Sequence, residues 1–464
     1  MAIVRDFQVN NGLEVNLNAN VASTLSASDY FANTSAPANA PSIAIDFRHA
    51  RELGQLNLTR ASTGTYLAAN GIIAIANTNA PRFEYTSNGA CRGLLIEEPR
   101  TNLYPWGDRL NTMMVTGNYQ NSVATMTTIA NGSPMGTDCW QSVSMTDSSY
   151  NSHYLFDWNN TATLQFGLPY TWSIFVKPIS TDAGLQSVAM RLWTGAGRAW
   201  TTGRWAYFNL ITGQPAGTSG TVVASGIIPY PDGWYRLYIC AYPDQTGFSG
   251  ISFDLSSSYK PGITTYQIWG GQLERGVQLT SYIPTDGVSL TRAADLVTAN
   301  TTNTIRPWFN QNGGTLYGEF IPTTPNWANN GYPFYMSLTG LDVDNQVLGI
   351  YAAAASDGRF QMTDFNGLPN GTIISNIETA TNTPVLNVMG NTYKIAISYT
   401  SNTDYIAVNG IGSPTNPQVN ARASFTQLNL SQATRYQYQP SSIFKKFVYY
   451  PAALANTQLT FITS

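Results

Sequence analysis

Six short runs constrain this chain more than anything else in it: Trp172-Ser-Ile-Phe-Val-Lys177, Trp234-Tyr-Arg-Leu-Tyr-Ile239, Tyr266-Gln-Ile-Trp269, Thr315-Leu-Tyr-Gly-Glu-Phe-Ile321, Tyr393-Lys-Ile-Ala-Ile-Ser-Tyr399 and Ile443-Phe-Lys-Lys-Phe-Val-Tyr449. Each is rich in β-branched and aromatic residues and alternates with a period near two, the spacing at which successive side chains of a strand point to opposite faces. Between and around them stand Pro231-Asp-Gly233, Asp357-Gly358, Asn366-Gly367 and Asn409-Gly410. Their Gly or Asn tolerates the positive φ of tight turns. Only Pro451-Ala-Ala-Leu-Ala455 hints at a helical period. The expected architecture is all-β, built from sandwiches of antiparallel sheets.

At 464 residues the chain exceeds what one core fills, so two or three domains are expected. Only 11% of residues are charged, against 43% hydrophobic and 12% aromatic, so Ser, Thr, Asn, Gln and Gly must make up much of the surface. The formal charge is −3, and Lys445-Lys446 is the only adjacent lysine pair. Such a balance supplies no cationic stripe for a phosphate backbone, and nucleic acid is excluded as an expected partner. Met1-Ala-Ile-Val-Arg-Asp-Phe-Gln8 has neither the basic start nor the apolar core of a signal peptide. No run nears the roughly 18 apolar residues of a membrane span, so synthesis in a cytoplasm without membrane insertion is expected. Cys91, Cys139 and Cys240 are odd in number and lack CxxC spacing, which predicts buried thiols and neither disulfides nor a zinc site.

Three zones follow from composition. Residues 1–40 are small and polar, with Phe7-Gln-Val-Asn-Asn-Gly-Leu-Glu-Val15 as their one strand-like phrase. Such a zone cannot bury a core alone and predicts an extended arm that attaches or oligomerises through Phe7, Val9, Leu13 and Val15. Residues 41–295 form a first module with a lead segment, and residues 296–464 a second. Thr59-Arg-Ala-Ser62 and Thr291-Arg-Ala-Ala294 echo each other at the two ends of the first module.

Further phrases carry a family resemblance. Gly93-Leu-Leu-Ile-Glu-Glu-Pro-Arg-Thr-Asn-Leu103, Trp269-Gly-Gly-Gln-Leu-Glu-Arg-Gly276, Thr280-Ser-Tyr-Ile-Pro-Thr285 and Thr291-Arg-Ala-Ala-Asp295, in this order, resemble the concanavalin A-like jelly-roll modules of tailed-phage structural proteins. Thr59-Arg-Ala-Ser-Thr-Gly-Thr-Tyr66 and Pro81-Arg-Phe-Glu-Tyr85 belong to the same resemblance. In the last zone Gly314-Thr-Leu-Tyr-Gly-Glu-Phe320, Ala407-Val-Asn-Gly410 and Phe447-Val-Tyr-Tyr-Pro-Ala-Ala-Leu454 are similar to a laminin-G jelly roll. The resemblance covers most of residues 59–105 and 230–464. It implies tandem jelly rolls behind an N-terminal arm, on a virion surface, with other virion proteins (adaptor, tail or capsid) as partners. It also implies a homotrimer, and either host adsorption through surface glycans or a capsid-decorating role.

Chemistry has little support in the residues. His49 and His153 are the only histidines, and neither accompanies a Gly-x-Ser-x-Gly elbow. A depolymerase would need two carboxylates facing one groove, about 5–5.5 Å or 6.5–9.5 Å apart. Glu97 and Glu98 are adjacent and would point to opposite faces of a strand, the Glu-x-Asp-x-x-Glu phrase of concanavalin A-like glycanases is absent, and Asp254 with Glu274 could meet only through tertiary folding. Asp342-Val-Asp344-Asn345 could offer oxygen ligands to calcium, but it lacks the EF-hand spacing and reads as a solvated turn. No enzyme activity, cofactor or metal is expected.

Exposed aromatics beside amides are the better guide, because a sugar presents an apolar C–H face and a rim of hydroxyls. Three segments fit: Trp158-Asn159-Asn160; the loop bearing Trp327, Asn329, Asn330 and Tyr332; and Trp193-Thr-Gly-Ala-Gly-Arg-Ala-Trp200, a candidate hairpin with a Trp on each arm. Trp172, Trp234 and Trp269 lie within apolar strands and are expected in the core.

Overall fold

The computed structural model describes residues 40–49, 53–110, 124–144, 154–157, 162–180, 187–254, 264–302, 308–323, 334–340, 347–352, 360–365, 373–378, 388–414, 416–417, 424–431 and 439–464. The arm with Phe7, Val9, Leu13 and Val15 lies outside them, as do Trp158, Asn159, Asn160, Trp327, Asn329, Asn330, Tyr332, Asp342, Asp344 and Asn345. The regular structure of the described chain is nearly all strand, in antiparallel sheets of jelly-roll type.

It divides into two compact units, Arg60–Cys91 with Pro99–Ala294, and Met1–Thr59 with Arg92–Glu98 and Asp295–Ser464. In this division residues 43–59 and 92–98 belong with the stretch that begins at Asp295. Ile43–Asp46 pairs with Ser442–Tyr450, Asn57–Thr59 pairs with Leu296–Asn300, and Leu94–Ile96 pairs with Phe444–Ser442. Ladder pairing over such sequence separations leaves no local signal.

The unit of residues 60–91 and 99–294 is a sandwich of a six-stranded and a five-stranded sheet. The first runs in the order Ala224–Pro229, Tyr235–Ala241, Tyr170–Ser180, Thr264–Arg275, Cys139–Ser144, Ala124–Ile129. The second runs Tyr154–Asp157, Ile251–Asp254, Ser187–Leu192, Arg204–Asn209, Gln214–Ser219. Alternation sorts the side chains between the faces. Trp172, Ile174 and Val176 meet Val188, Met190, Leu192, Ala206 and Phe208 in one core. The other face of the larger sheet carries Phe175 and Trp269, which pack with Ile73 of the lead hairpin and with Tyr282. Trp172, Trp234 and Trp269 are buried, as their apolar strands predicted. Cys139 and Cys240 are buried as well, whereas Cys91 is half-buried.

At the edge of the smaller sheet, Gln214–Ser219 is exposed along its whole length. Its pairing with Arg204–Asn209 slips by one residue between Tyr207 and Phe208, where Gly217 takes φ +124°. This is a bulge, and Pro215 removes a backbone donor from the same strand.

In the other unit, Tyr393–Thr400, Gly313–Pro322 and Ser442–Tyr450 lie side by side in one sheet, continued by Thr403–Val408 on one side. Opposite it stands a seven-stranded sheet from Asn57–Thr59 to Ile373–Glu378. A Cβ on Gly318 would stand 2.6 Å from Met336 Sδ, so glycine admits a side chain of the opposite sheet into the core. Register places Tyr317, Ala396, Ala407 and Val448 in a row on the outward face. The helix Asn456–Thr463 covers that row with Leu459. The helical hint in residues 451–455 therefore marks the residues just before a real helix. The predicted Asn409-Gly410 turn is present, with φ of 47° and 80°.

Candidate functional site

Three of the phrases that carried the family resemblance meet around Asn102, Gly271–Glu274 and Thr280–Ile283. Thr171, Ser173, Gln272 and Glu274 occupy the face of the six-stranded sheet that turns away from its core, where bare polar groups would need partners. The Thr280–Thr285 strap supplies them. Gln272 Oε1 accepts from Ile283 N at 2.7 Å, and Glu274 accepts from Thr280 N at 3.1 Å and Thr280 Oγ1 at 2.7 Å. Arg236 donates to Thr280 O at 2.7 Å and Ser173 Oγ at 3.1 Å. Asn102 closes the assembly: its Nδ2 donates to Gly271 O at 3.1 Å and Ile283 O at 3.0 Å, and its Oδ1 accepts from Tyr104 N and Leu273 N, both at 3.0 Å. The glycines in these phrases are steric: a Cβ on Gly271 would stand 2.9 Å from Trp172, and one on Gly270 2.7 Å from Phe175. Even the echo is a contact, since Ala293 N donates to Ser62 Oγ at 2.9 Å. These phrases build a buried polar buckle, and its groups are occupied in holding the chain together.

The same buckle bears on hydrolysis. Glu274 is fully buried, and both its oxygens accept hydrogen bonds from within the fold. Asp254 belongs to the five-stranded sheet and Glu274 to the six-stranded one. Tyr282 donates to Asp108 Oδ1 at 2.6 Å; burial pushes the Asp108 carboxyl up and the Tyr282 phenol well above its ordinary value, which keeps the phenol a donor. Among the described residues, no three His, Cys, Asp or Glu side chains cluster as metal ligands.

Of the sugar-platform candidates, Trp193 and Trp200 are described, and they do not form a matched pair. Trp200 is fully buried in the sandwich core, which corrects the reading of it as an exposed platform. The segment is not a regular hairpin: Gly195 and Gly197 have positive φ, and Thr194 and Trp200 form an isolated bridge. That path turns the second Trp inward. Trp193 stays half-buried and donates from Nε1 to Ser252 Oγ at 2.7 Å.

What accompanies Trp193 is a group that linear spacing hides. Arg191 pairs across the ladder with Trp205, and its guanidinium lies 3.3 Å from the centre of the Trp193 ring and 4.2 Å from that of Trp205. A cation between two indole faces fixes both rings at little entropic cost. Two residues beyond Trp205 on the same strand face is Tyr207, then Asn209, all half-buried. Opposite Tyr207 is Gly217, whose absent side chain leaves open space. The outward face of the five-stranded sheet thus carries Trp193, Trp205 and Tyr207 around Arg191, with Asn209 and the exposed Gln214–Ser219 strand alongside. The alternation Arg191-x-Trp193 and Trp205-x-Tyr207 was the available signal, but only the register brings the two strands together.

No family model matches the chain, and no curated protein matches it at a significant level. Similar solved structures include the CBM40 domain of Ruminococcus gnavus IT-sialidase bound to α2,3-sialyllactose, at 14% identity and TM-score 0.27, covering 33% of this chain and 84% of that one. Domain 4 of AbnA, a GH43 extracellular arabinanase from Geobacillus stearothermophilus in complex with arabinotriose, is similar at 11% identity and TM-score 0.27, covering 40% and 81%. A carbohydrate esterase from Shiga toxin-encoding bacteriophage phi24B is similar at 13% identity and TM-score 0.20, covering 34% and 82%. Among the described residues no helix is long and apolar enough to cross a membrane.

Proposed function

We propose that the chain is a virion surface protein of a tailed phage that binds host glycan without turning it over. In this reading its N-terminal arm attaches to other virion proteins and it works as a homotrimer. The observation that carries the glycan reading is the Trp193–Arg191–Trp205 stack with Tyr207 beside it: rigid aromatic rims next to amides on an outward sheet face suit the C–H faces and hydroxyls of a sugar. The virion setting is supported by the phrases resembling tailed-phage jelly rolls and by the uncharged, amide-rich composition. Binding without turnover fits a Glu274 carboxylate committed to structure. Copies displayed together would turn weak single contacts into firm adhesion.

The test is a glycan array probed with the full chain and with Trp205→Ala and Tyr207→Ala. Binding by the native chain that drops about 5- to 100-fold in either variant, at a nearly unchanged melting temperature, is expected. Release of reducing ends from a bound polysaccharide, or equal binding by all three proteins, would overturn this reading.

A further inference from the structure

The aromatic face of the five-stranded sheet does not end at Trp193. Within the unit formed by Arg60–Cys91 and Pro99–Ala294, the segment from Phe248 to Phe253 runs beside it. Trp193 N donates to Gly250 O at 2.8 Å, and Arg191 pairs with Ser252. Ile251 and Phe253 belong to the core, so alternation turns Ser252, Gly250 and Phe248 outward. These three positions are filled differently. Trp193 Nε1 bonds to Ser252 Oγ at 2.7 Å, and a Cβ on Gly250 would collide with Arg198 Nη1, so a guanidinium lies over the glycine. Phe248 carries its own ring, which is 53% exposed.

The main chain fixes that ring from both sides. Phe248 N donates to Gly197 O at 2.8 Å, Phe248 O accepts from Ala199 N at 2.9 Å, and Thr163 pairs with Phe248 along the opposite edge. A ring so held loses little freedom when it meets a ligand. From Ser252, Phe248 stands roughly 13 Å along the strand, and Trp205 lies two ladder steps, roughly 10 Å, across it. In diagonal order the face therefore carries Phe248, Arg198, Trp193, Arg191 and Trp205, ring alternating with cation. Each end has an exposed hydroxyl residue directly across the ladder, Thr163 opposite Phe248 and Ser219 opposite Trp205.

We propose that this face holds a neutral linear polysaccharide along several consecutive sugars, with Phe248 as a subsite remote from Trp205, rather than gripping a chain end. The inference rests on the glycan reading above and adds the form of the ligand. One sugar ring cannot touch both ends of the row, whereas a chain repeats the C–H faces and hydroxyls that each end is built to meet. Arg191 is covered by the two indoles and Arg198 is buried, which leaves rings and hydroxyls as the contacts at both ends.

The probes are linear dextran, arabinan, mannan and mixed-linkage β-glucan, with oligosaccharides of one to eight sugars cut from each, titrated against the full chain. For a polymer that binds, affinity is expected to rise at least tenfold from its disaccharide to its hexasaccharide. Phe248→Ser should lower hexasaccharide binding at least fivefold and leave the disaccharide unchanged, Phe248→Tyr should retain both, and Trp205→Ala should weaken both. The Phe248 backbone bonds need no side chain, so melting temperatures of its variants should stay near the native value. Equal affinity of the native chain for both lengths, or undiminished hexasaccharide binding in folded Phe248→Ser, overturns the proposal and leaves the glycan reading standing. The same holds if the chain binds glycans on an array but none of the four polymers; no binding to either overturns both. Binding of phosphatidylglycerol vesicles that Phe248→Ser abolishes would assign the ring to a lipid surface and overturn the proposal as well.

Discussion

Asn102 accepts a hydrogen bond from Leu273 N at 3.0 Å, across 171 residues of chain, while the same oxygen accepts from Tyr104 N and the amide donates to Gly271 O and Ile283 O. One side chain thereby joins three of the phrases that stand out in the sequence. Asn102→Ala would leave two backbone N–H groups and two carbonyls without these partners inside the fold. A loss of roughly 2–4 kcal/mol is expected by chemical denaturation, far above an ordinary surface change.

Trp193 and Trp200 should part company under substitution. Trp200→Ala opens a large cavity in the sandwich and is expected to cost about 3–5 kcal/mol. Trp193 is half-buried and rests on Arg191, so Trp193→Ala should cost less than half of that. Equal losses would mean that both rings serve the core.

Two glycines with positive φ provide a second contrast. A Cβ on Gly93 would stand 2.1 Å from Phe444 O, whereas around Gly217 nothing lies within 4 Å. Gly217→Ala should therefore cost only the backbone preference, about 1 kcal/mol, visible as a small shift in melting temperature. Gly93→Ala adds a backbone collision and should prevent the unit containing Ser442–Tyr450 from folding, which limited proteolysis would reveal.

The Arg204 guanidinium bonds to Asp244 at 2.6 Å and, with Thr201 assisting, holds its carboxyl down at about 2. Since this folded value lies below the ordinary 3.8, the contribution to stability is present above pH 4 and is lost as the pH falls toward 2. Asp244 keeps 30% of its side-chain surface exposed, so solvent and salt shrink the effect. Asp244→Asn should flatten that part of the acid-unfolding curve, most clearly at low ionic strength.

Burial pushes the Cys139 thiol up to about 11 and the Cys240 thiol up to about 12. Iodoacetamide at pH 8 should spare both in the folded protein and reach them on unfolding, while half-buried Cys91 is labelled first. Mass spectrometry of the labelled chain reads this directly.

The local part of this fold was legible. Arg204–Asn209 alternates strictly between buried and half-buried residues, and five of the six runs quoted from the sequence fall within strands, while the sixth enters its strand one residue after Trp234. Long-range pairing was not legible: nothing in residues 43–46 names residues 446–449 as their partners. The phrases were visible as a set, but their polar residues are bound to one another rather than to a ligand. Composition singles out Trp193 as a candidate. It does not single out the companions Arg191 and Trp205, because a ladder register relates them and no fixed spacing does.

The slipped, proline-bearing border strand Gln214–Ser219 lies next to the strand that carries Trp205 and Tyr207. A straight, bare border there would invite a neighbouring molecule to zip on through its main chain, covering the rings and seeding clumps. With a kink at Gly217 and a missing donor at Pro215, many molecules can be crowded side by side and still keep that surface uncovered.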